Sequence, residues 1–138
     1  MANVANIKTF QKNMTENEIA AIVLEKSFVI HRTYGPGLLE SVYEEILCYE
    51  LRKDGYTVQR QQDVSLIHEE LFIPMAFRAD LIVDHLVLVE LKSSEELHRS
   101  YYKIVRTYLR LTHIQLGLLI NFSEPLLKDG IRRIANGL

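Results

Sequence analysis

Residues 78–92 read RADLIVDHLVLVELK, from Arg78 to Lys92. Two apolar runs, LIV and LVLV, flank the polar break Asp84-His85, and the stretch reads as a buried β-hairpin. Asp80, Glu90 and Lys92 do not suit that reading, because burying carboxylates and an ammonium costs far more than burying valine or leucine. Residues two apart in a strand share a face, so Glu90 and Lys92 point one way while Val89 and Leu91 point the other. A plain two-residue turn at Asp84-His85 would set Asp80 opposite Val89, on the wrong face for a shared site. An odd-length loop or a bulge would instead bring it opposite Glu90. If the three charges form one site, the turn between residues 80 and 90 must be irregular.

Outward from the hairpin, the hydrophobic period sorts the rest of the chain. Thr15 followed by Glu18 is a capping-box pattern, and it opens a helix predicted to run to about Arg32. That helix breaks at Tyr34-Gly35-Pro36-Gly37. A second helix is expected over Leu38 to Lys53, with Leu39, Val42, Tyr43, Ile46 and Leu47 on one face and Asp54-Gly55 ending it. Thr57 to Ile67 and Leu71 to Val83 read as strands, the second irregular around Pro74. Leu86 to Lys92 is a third strand, apolar enough for both faces to be covered. Ser93 or Ser94 would cap a helix from Glu95 to about Leu111. Ile114 to Phe122 reads as a buried strand, and Leu126 to Ala135 as a short closing helix. The class is α/β, a mixed sheet with helices packed on it.

Composition sets outer limits. With 138 residues, 48% of them hydrophobic and 25% charged, the chain can bury one domain-sized core. No repeat or Pro/Gly-rich linker divides it, so one domain over 1–138 is expected, with residues 1–14 flexible. A net charge of −2 excludes a protein that coats nucleic acid by bulk charge, but not a local basic face. Cys48 is the single cysteine, which rules out an intrachain disulfide and makes a reducing, cytoplasmic setting the default. The five histidines stand singly, without zinc spacing. The apolar runs are too short for a membrane span, and the N-terminus lacks a secretory h-region.

Converging carboxylates at Asp80 and Glu90 would make a hard oxygen site suited to Mg²⁺ or Mn²⁺. Such an ion polarises a phosphoryl oxygen and lowers the pKa of bound water. Lys92 beside it would stabilise developing charge or orient the attacking water. The plainer alternative is that Asp80 caps a strand edge while Glu90 and Lys92 form a structural ion pair. Arg99, Lys103, Arg106 and Arg110, spaced four, three and four, share one face of the following helix. Ile104, Val105, Tyr108 and Leu109 form the other face. The basic stripe suits a phosphate backbone, or is simply the solvated side of an amphipathic helix.

Gly37-Leu38-Leu39-Glu40-Ser41-Val42-Tyr43 fits G-x-x-E-x-x-Y, and with it the chain resembles the GxxExxY proteins, a branch of the PD-(D/E)xK nuclease-like superfamily. The resemblance continues in order through Arg78-Ala79-Asp80, Val89-Glu90-Leu91-Lys92, Tyr108-Leu109, Gly117 to Phe122 and Gly130 to Ile134. It implies a restriction-endonuclease-like core, α-βββ-α-β, with an extra N-terminal helix and a short C-terminal one. It also implies a catalytic set of Glu40, Asp80, Glu90 and Lys92. Asp80 and Glu90 would hold Mg²⁺ (or Mn²⁺) directly and Glu40 would hold it through water. Tyr43 is expected to pack, its ring in the core and its hydroxyl at the edge. One departure stands out: relatives usually carry glutamine where this chain has Ile104, and histidine where it has Tyr101.

Two functions follow. The first is a metal-dependent nuclease hydrolysing DNA or RNA, with Arg99, Lys103, Arg106 and Arg110 on the backbone phosphates. A single domain of this size engages one strand, which points to a homodimer. The second is a weak or inactive nucleic-acid-binding or assembly module on the same fold, favoured by the acidic balance and by Ile104.

Overall fold

A computed structural model describes residues 14–138, so the segment expected to be flexible, 1–14, lies outside the described residues except for Met14. Helix α1 (Glu16–Tyr34) opens on the foreseen capping box: Thr15 Oγ1 accepts from the Glu18 N–H, and Glu18 Oε1 from the Thr15 N–H. It stops at Gly35, whose φ of 75° is glycine territory. Helix α2 (Glu40–Lys53) starts two residues later than expected, and the cause is Tyr43. The Tyr43 hydroxyl accepts from the Leu38 N–H and donates to the Gly35 carbonyl, so residues 35–38 wrap round the ring instead of lengthening the helix. The ring itself is fully buried and stacks on Phe122 at 4.3 Å, which makes Tyr43 a packing residue as expected.

Five strands follow: β1 (Val58–His68), β2 (Leu71–Val83), β3 (Val87–Lys92), β4 (Leu116–Asn121) and β5 (Ile131–Ala135), in sheet order β1-β2-β3-β4-β5. β3 and β4 are parallel, joined by the crossover helix α3 (Ser100–Thr112), and the other neighbours are antiparallel. Val64 pairs with Phe77 but Leu66 with Ile73, so β2 bulges around Pro74, which has no N–H to give a ladder. Beyond that bulge β1 and β2 form a ribbon on which Ile67, Leu71, Phe72 and Met75 are exposed.

The sheet carries a core on each face. Val87, Val89 and Leu91 pack with Ile19, Val23, Tyr43 and Leu47 of α1 and α2, whereas Leu88 packs with Val105 and Leu109 of α3. This accounts for the unbroken apolar run of β3. Gly117 on β4 lets α3 sit close: a β-carbon there would lie 2.9 Å from Val105 Cγ1.

Two expectations are overturned. The helix expected from Glu95 begins at Ser100, because the Ser93 and Ser94 hydroxyls are used elsewhere: Ser93 Oγ donates to the Leu38 carbonyl, and Ser94 Oγ to the Glu96 carbonyl. The expected closing helix over Leu126 to Ala135 is instead a 3₁₀ turn (Leu127–Gly130) followed by β5. β4 is buried along its whole length, and without β5 its outer N–H and C=O groups would be buried unpaired. That demand overrides the weak local helix preference of a segment with Gly130 at its centre.

The remaining order is helix, three-stranded meander, helix and strand, an α+β arrangement consistent with a restriction-endonuclease-like core.

Candidate active site

The β2–β3 turn consists of three residues, Asp84, His85 and Leu86, with Asp84 and His85 at φ 49° and 59°. Leu81 therefore pairs with Val89, and the register carries Asp80 opposite Glu90. The ladder ends at that point, and side chains take over its bonds. The Asp80 N–H donates to Glu90 Oε1 at 3.2 Å, and the Leu91 N–H donates to Asp80 Oδ2 at 2.9 Å. The two carboxyl groups meet where β2 and β3 part.

Glu90 is 6% exposed. Burial first, and then the neighbouring Asp80 charge and a side-chain hydrogen bond with Asp80, push its carboxyl up to about 8, against the opposing Asp80 N–H and the Lys92 charge. Such a group holds its proton at neutral pH because burial and the Asp80 charge outweigh the Asp80 N–H and Lys92. Hard oxygen donors crowded in this way fit a divalent cation, which would remove the repulsion. Among the described residues no three His, Cys, Asp or Glu side chains gather closely enough to form a complete ligand set, so Asp80 and Glu90 would be joined by water or backbone oxygen.

Lys92, at the end of β3, does not pair with Glu90. Among the described residues the ion pairs within 4.0 Å are Lys26–Asp54, Lys53–Glu50, Arg60–Glu44 and Arg78–Asp63. The structural Glu90–Lys92 pair is therefore not what the chain forms. The Lys92 ammonium sits 4.8 Å from the centroid of the Tyr101 ring, a cation–π contact that fixes it without spending its charge on a carboxylate. Asn121, fully buried and opposite Lys92 in the β3–β4 register, ties down the chain just beyond. Its amide donates to the Ser94 carbonyl at 2.8 Å, and its Oδ1 accepts from the N–H groups of Ser94 and Ser123.

Glu40 opens α2 on the other side of the cleft. Partial burial raises its carboxyl pKa; Lys92 opposes this, Asp80 adds to it, and the Ser93 backbone donates to it. Glu40, Asp80, Glu90 and Lys92 are thus brought within electrostatic reach of one another. Tyr108 of α3 joins them: burial and then the charges of Glu90 and Asp80 raise its hydroxyl pKa, and its ring stacks on Phe77 at 3.6 Å.

Two neighbours escaped the sequence reading. Glu44, one turn after Glu40, is buried and accepts from Arg60 Nε at 2.7 Å and from Gln61 Nε2 at 2.6 Å. Gln61 also donates to Asp80 Oδ1 at 3.2 Å. Leu39, Glu40, Ser41, Glu44, Gln61 and Asp80 line an open cleft of about 360 Å³. The i, i+4 spacing of Glu40 and Glu44 was a visible signal; nothing in Gln59-Arg60-Gln61-Gln62 marks Gln61. A larger cavity of about 460 Å³ between α1 and α2, lined by Ile22, Lys26, Val29 and Tyr56 among others, contains none of the charged set.

Lys103, Arg106 and Arg110 are exposed along α3, and Arg99 stands exposed at the position just before its first turn. Arg99, Tyr102, Lys103 and Arg106 line a shallow groove of about 320 Å³. Val105 and Leu109 take the core side as expected, but Ile104 does not join them, being 39% exposed.

No helix among the described residues is long and apolar enough to cross a membrane. Comparison with known proteins finds no curated protein and no solved structure that matches. A family model, described as the PD-(D/E)XK nuclease superfamily, matches residues 17–134. That span takes in α1, the meander with Asp80, Glu90 and Lys92, and the closing strand to Ile134. The chain belongs to the PD-(D/E)XK nuclease superfamily.

Proposed function

We propose that this domain is a Mg²⁺- or Mn²⁺-dependent nuclease that hydrolyses phosphodiester bonds in DNA or RNA. The observation that carries the proposal is the Asp80–Glu90 contact at the parting of β2 and β3, two carboxyls held together with no cation among the described residues ion-paired to either. A divalent ion bound there would supply Lewis acidity and neutralise charge on the phosphate. Asp80 and Glu90 would hold it, and Glu40 would support it through water from the facing helix. Lys92, presented over the Tyr101 ring, stabilises the negative charge that grows on the phosphoryl oxygens, or orients the attacking water. Water adds to phosphorus as the bond to the leaving oxygen breaks, and the leaving oxygen departs with a proton. Arg99, Lys103, Arg106 and Arg110 contact backbone phosphates, and α3 links them to the site through Tyr101 and Tyr108.

A second reading, a nucleic-acid-binding or assembly module without turnover, is favoured by Ile104, whose apolar side chain offers the site no hydrogen bond. Calorimetric titration of Mn²⁺ into the parent and Asp80→Asn separates the two readings when paired with a cleavage assay. The parent binds and the variant does not; Lys92→Ala binds Mn²⁺ like the parent but cleaves about 10²–10³-fold more slowly. Absence of Mn²⁺ binding by the parent sinks the nuclease proposal. Binding without cleavage of any nucleic acid leaves the second reading standing.

A further inference from the structure

We infer that Gln61 is a positioning residue for Asp80, holding its carboxylate in place for a cation through a bridge anchored on the buried Glu44–Arg60 pair; this rests on the nuclease reading proposed above.

Gln61 lies in the middle of β1 with φ 50°, a left-handed conformation that a non-glycine residue avoids. Its neighbours are regularly paired, Arg60 with Leu81 and Gln62 with Ala79, so the kink is confined to the one residue facing Asp80. Backbone strain of this kind persists where surrounding contacts enforce it, and it concentrates at functional sites. What the kink achieves can be read from the hydrogen bonds. In a regular strand Arg60 and Gln61 would project to opposite faces. Here both donate to the same carboxylate, Arg60 Nε to Glu44 Oε2 and Gln61 Nε2 to Glu44 Oε1.

An amide nitrogen carries two hydrogens, and this one has two acceptors: Glu44 Oε1 at 2.6 Å and Asp80 Oδ1 at 3.2 Å. With the Leu91 N–H on Oδ2, the Asp80 carboxylate receives an N–H at each oxygen. Each oxygen keeps a lone pair for a cation. The chemistry of the donor matters. A lysine or arginine at position 61 would neutralise Asp80 and compete with a metal ion; a neutral amide orients the carboxylate and leaves its charge intact. Arg60 takes up the charge of Glu44, so the anchor does not add a further free carboxylate to the cleft.

The test measures Mn²⁺ affinity by calorimetry and the thermal midpoint of the metal-free full chain, for the parent, Gln61→Gly and Gln61→Asn. Glycine accepts the left-handed backbone without strain, and asparagine tolerates it while being one methylene too short to span Glu44 and Asp80. Both variants are expected to bind Mn²⁺ about tenfold or more weakly, as loss of an outer partner of a metal ligand does, while relief of the backbone strain offsets part of the lost Glu44 hydrogen bond in the thermal midpoint. In the cleavage assay the loss should fall on kcat at fixed Mn²⁺, with the nucleic-acid KM little changed. Parent-like Mn²⁺ affinity in Gln61→Gly overturns the inference. So does a loss of Mn²⁺ affinity that simply tracks the loss of thermal midpoint across the two variants, because Gln61 would then be only a structural residue. A parent that binds no Mn²⁺ overturns the nuclease reading and this inference with it, an outcome visible before any variant is made.

Discussion

At the scale of the residue, Glu90 sets the behaviour of the site. In the unfolded chain its carboxyl ionises near 4.5; in the fold it does so near 8. Between those values the folded protein holds a proton that the unfolded chain has released, so stability must fall as pH rises through this window. The contribution is intact below about pH 4.5 and fully lost above about pH 8. For the metal-free protein, the urea midpoint should therefore decline from pH 5 to pH 8, and Glu90→Gln should flatten that decline. A divalent ion competes with that proton for the carboxylate, so Mn²⁺ affinity is expected to rise over the same range. The discord between charge and burial made Asp80, Glu90 and Lys92 legible in the sequence. Gln61 was not legible, since its contacts depend on one backbone angle that no side-chain pattern encodes.

At the scale of the element, the clearest lesson comes from the chain's last segment. Leu126 to Ala135 reads locally as a helix, yet it supplies β5 because β4 needs a partner along its outer edge. Gly130 makes the approach possible: a β-carbon there would lie 2.3 Å from the Asn121 carbonyl oxygen. Gly130→Ala should cost about 1–3 kcal/mol through this clash and displace Asn121, which holds Ser94 behind Lys92. Gly37, in the G-x-x-E-x-x-Y signature, is the contrast: a β-carbon there meets nothing within 4 Å. Gly37→Ala should stay within about 0.5 kcal/mol of the parent, and urea unfolding of the two variants measures both effects. The hairpin turned out as its charges required, with a three-residue turn. Helix α3 did not: Ser93 and Ser94 are good cap residues, but the Ser93 hydroxyl is drawn to Leu38, distant in sequence, while Ser94 gives its hydroxyl to the Glu96 carbonyl and its N–H to Asn121.

At the scale of the whole molecule, the sheet separates a helical face that supplies Glu40 and Glu44 from an α3 face that supplies Tyr101, Tyr108 and the basic stripe. A nucleic acid lying along α3 would meet positive charge although the chain as a whole carries −2. Replacing Lys103 and Arg106 together by alanine should weaken binding evenly across sequences. It should also reduce the slope of log affinity against log salt by about 2 on duplex substrates. Filter or fluorescence titrations across a salt series would measure it, and an unchanged slope would assign these residues to the solvated face of the helix.

By itself the sequence determined the order of the helices and central strands, because hydrophobic period and capping are local properties that a few residues carry. It also determined which carboxylates and which lysine do not belong in an ordinary core. Only the tertiary structure decided that β5 closes the sheet, that α3 begins late, and that Gln61 reaches Asp80 and Glu44 together. Each of these depends on satisfying a polar group supplied by a residue far away in the chain, and such a demand leaves no mark on the sequence nearby.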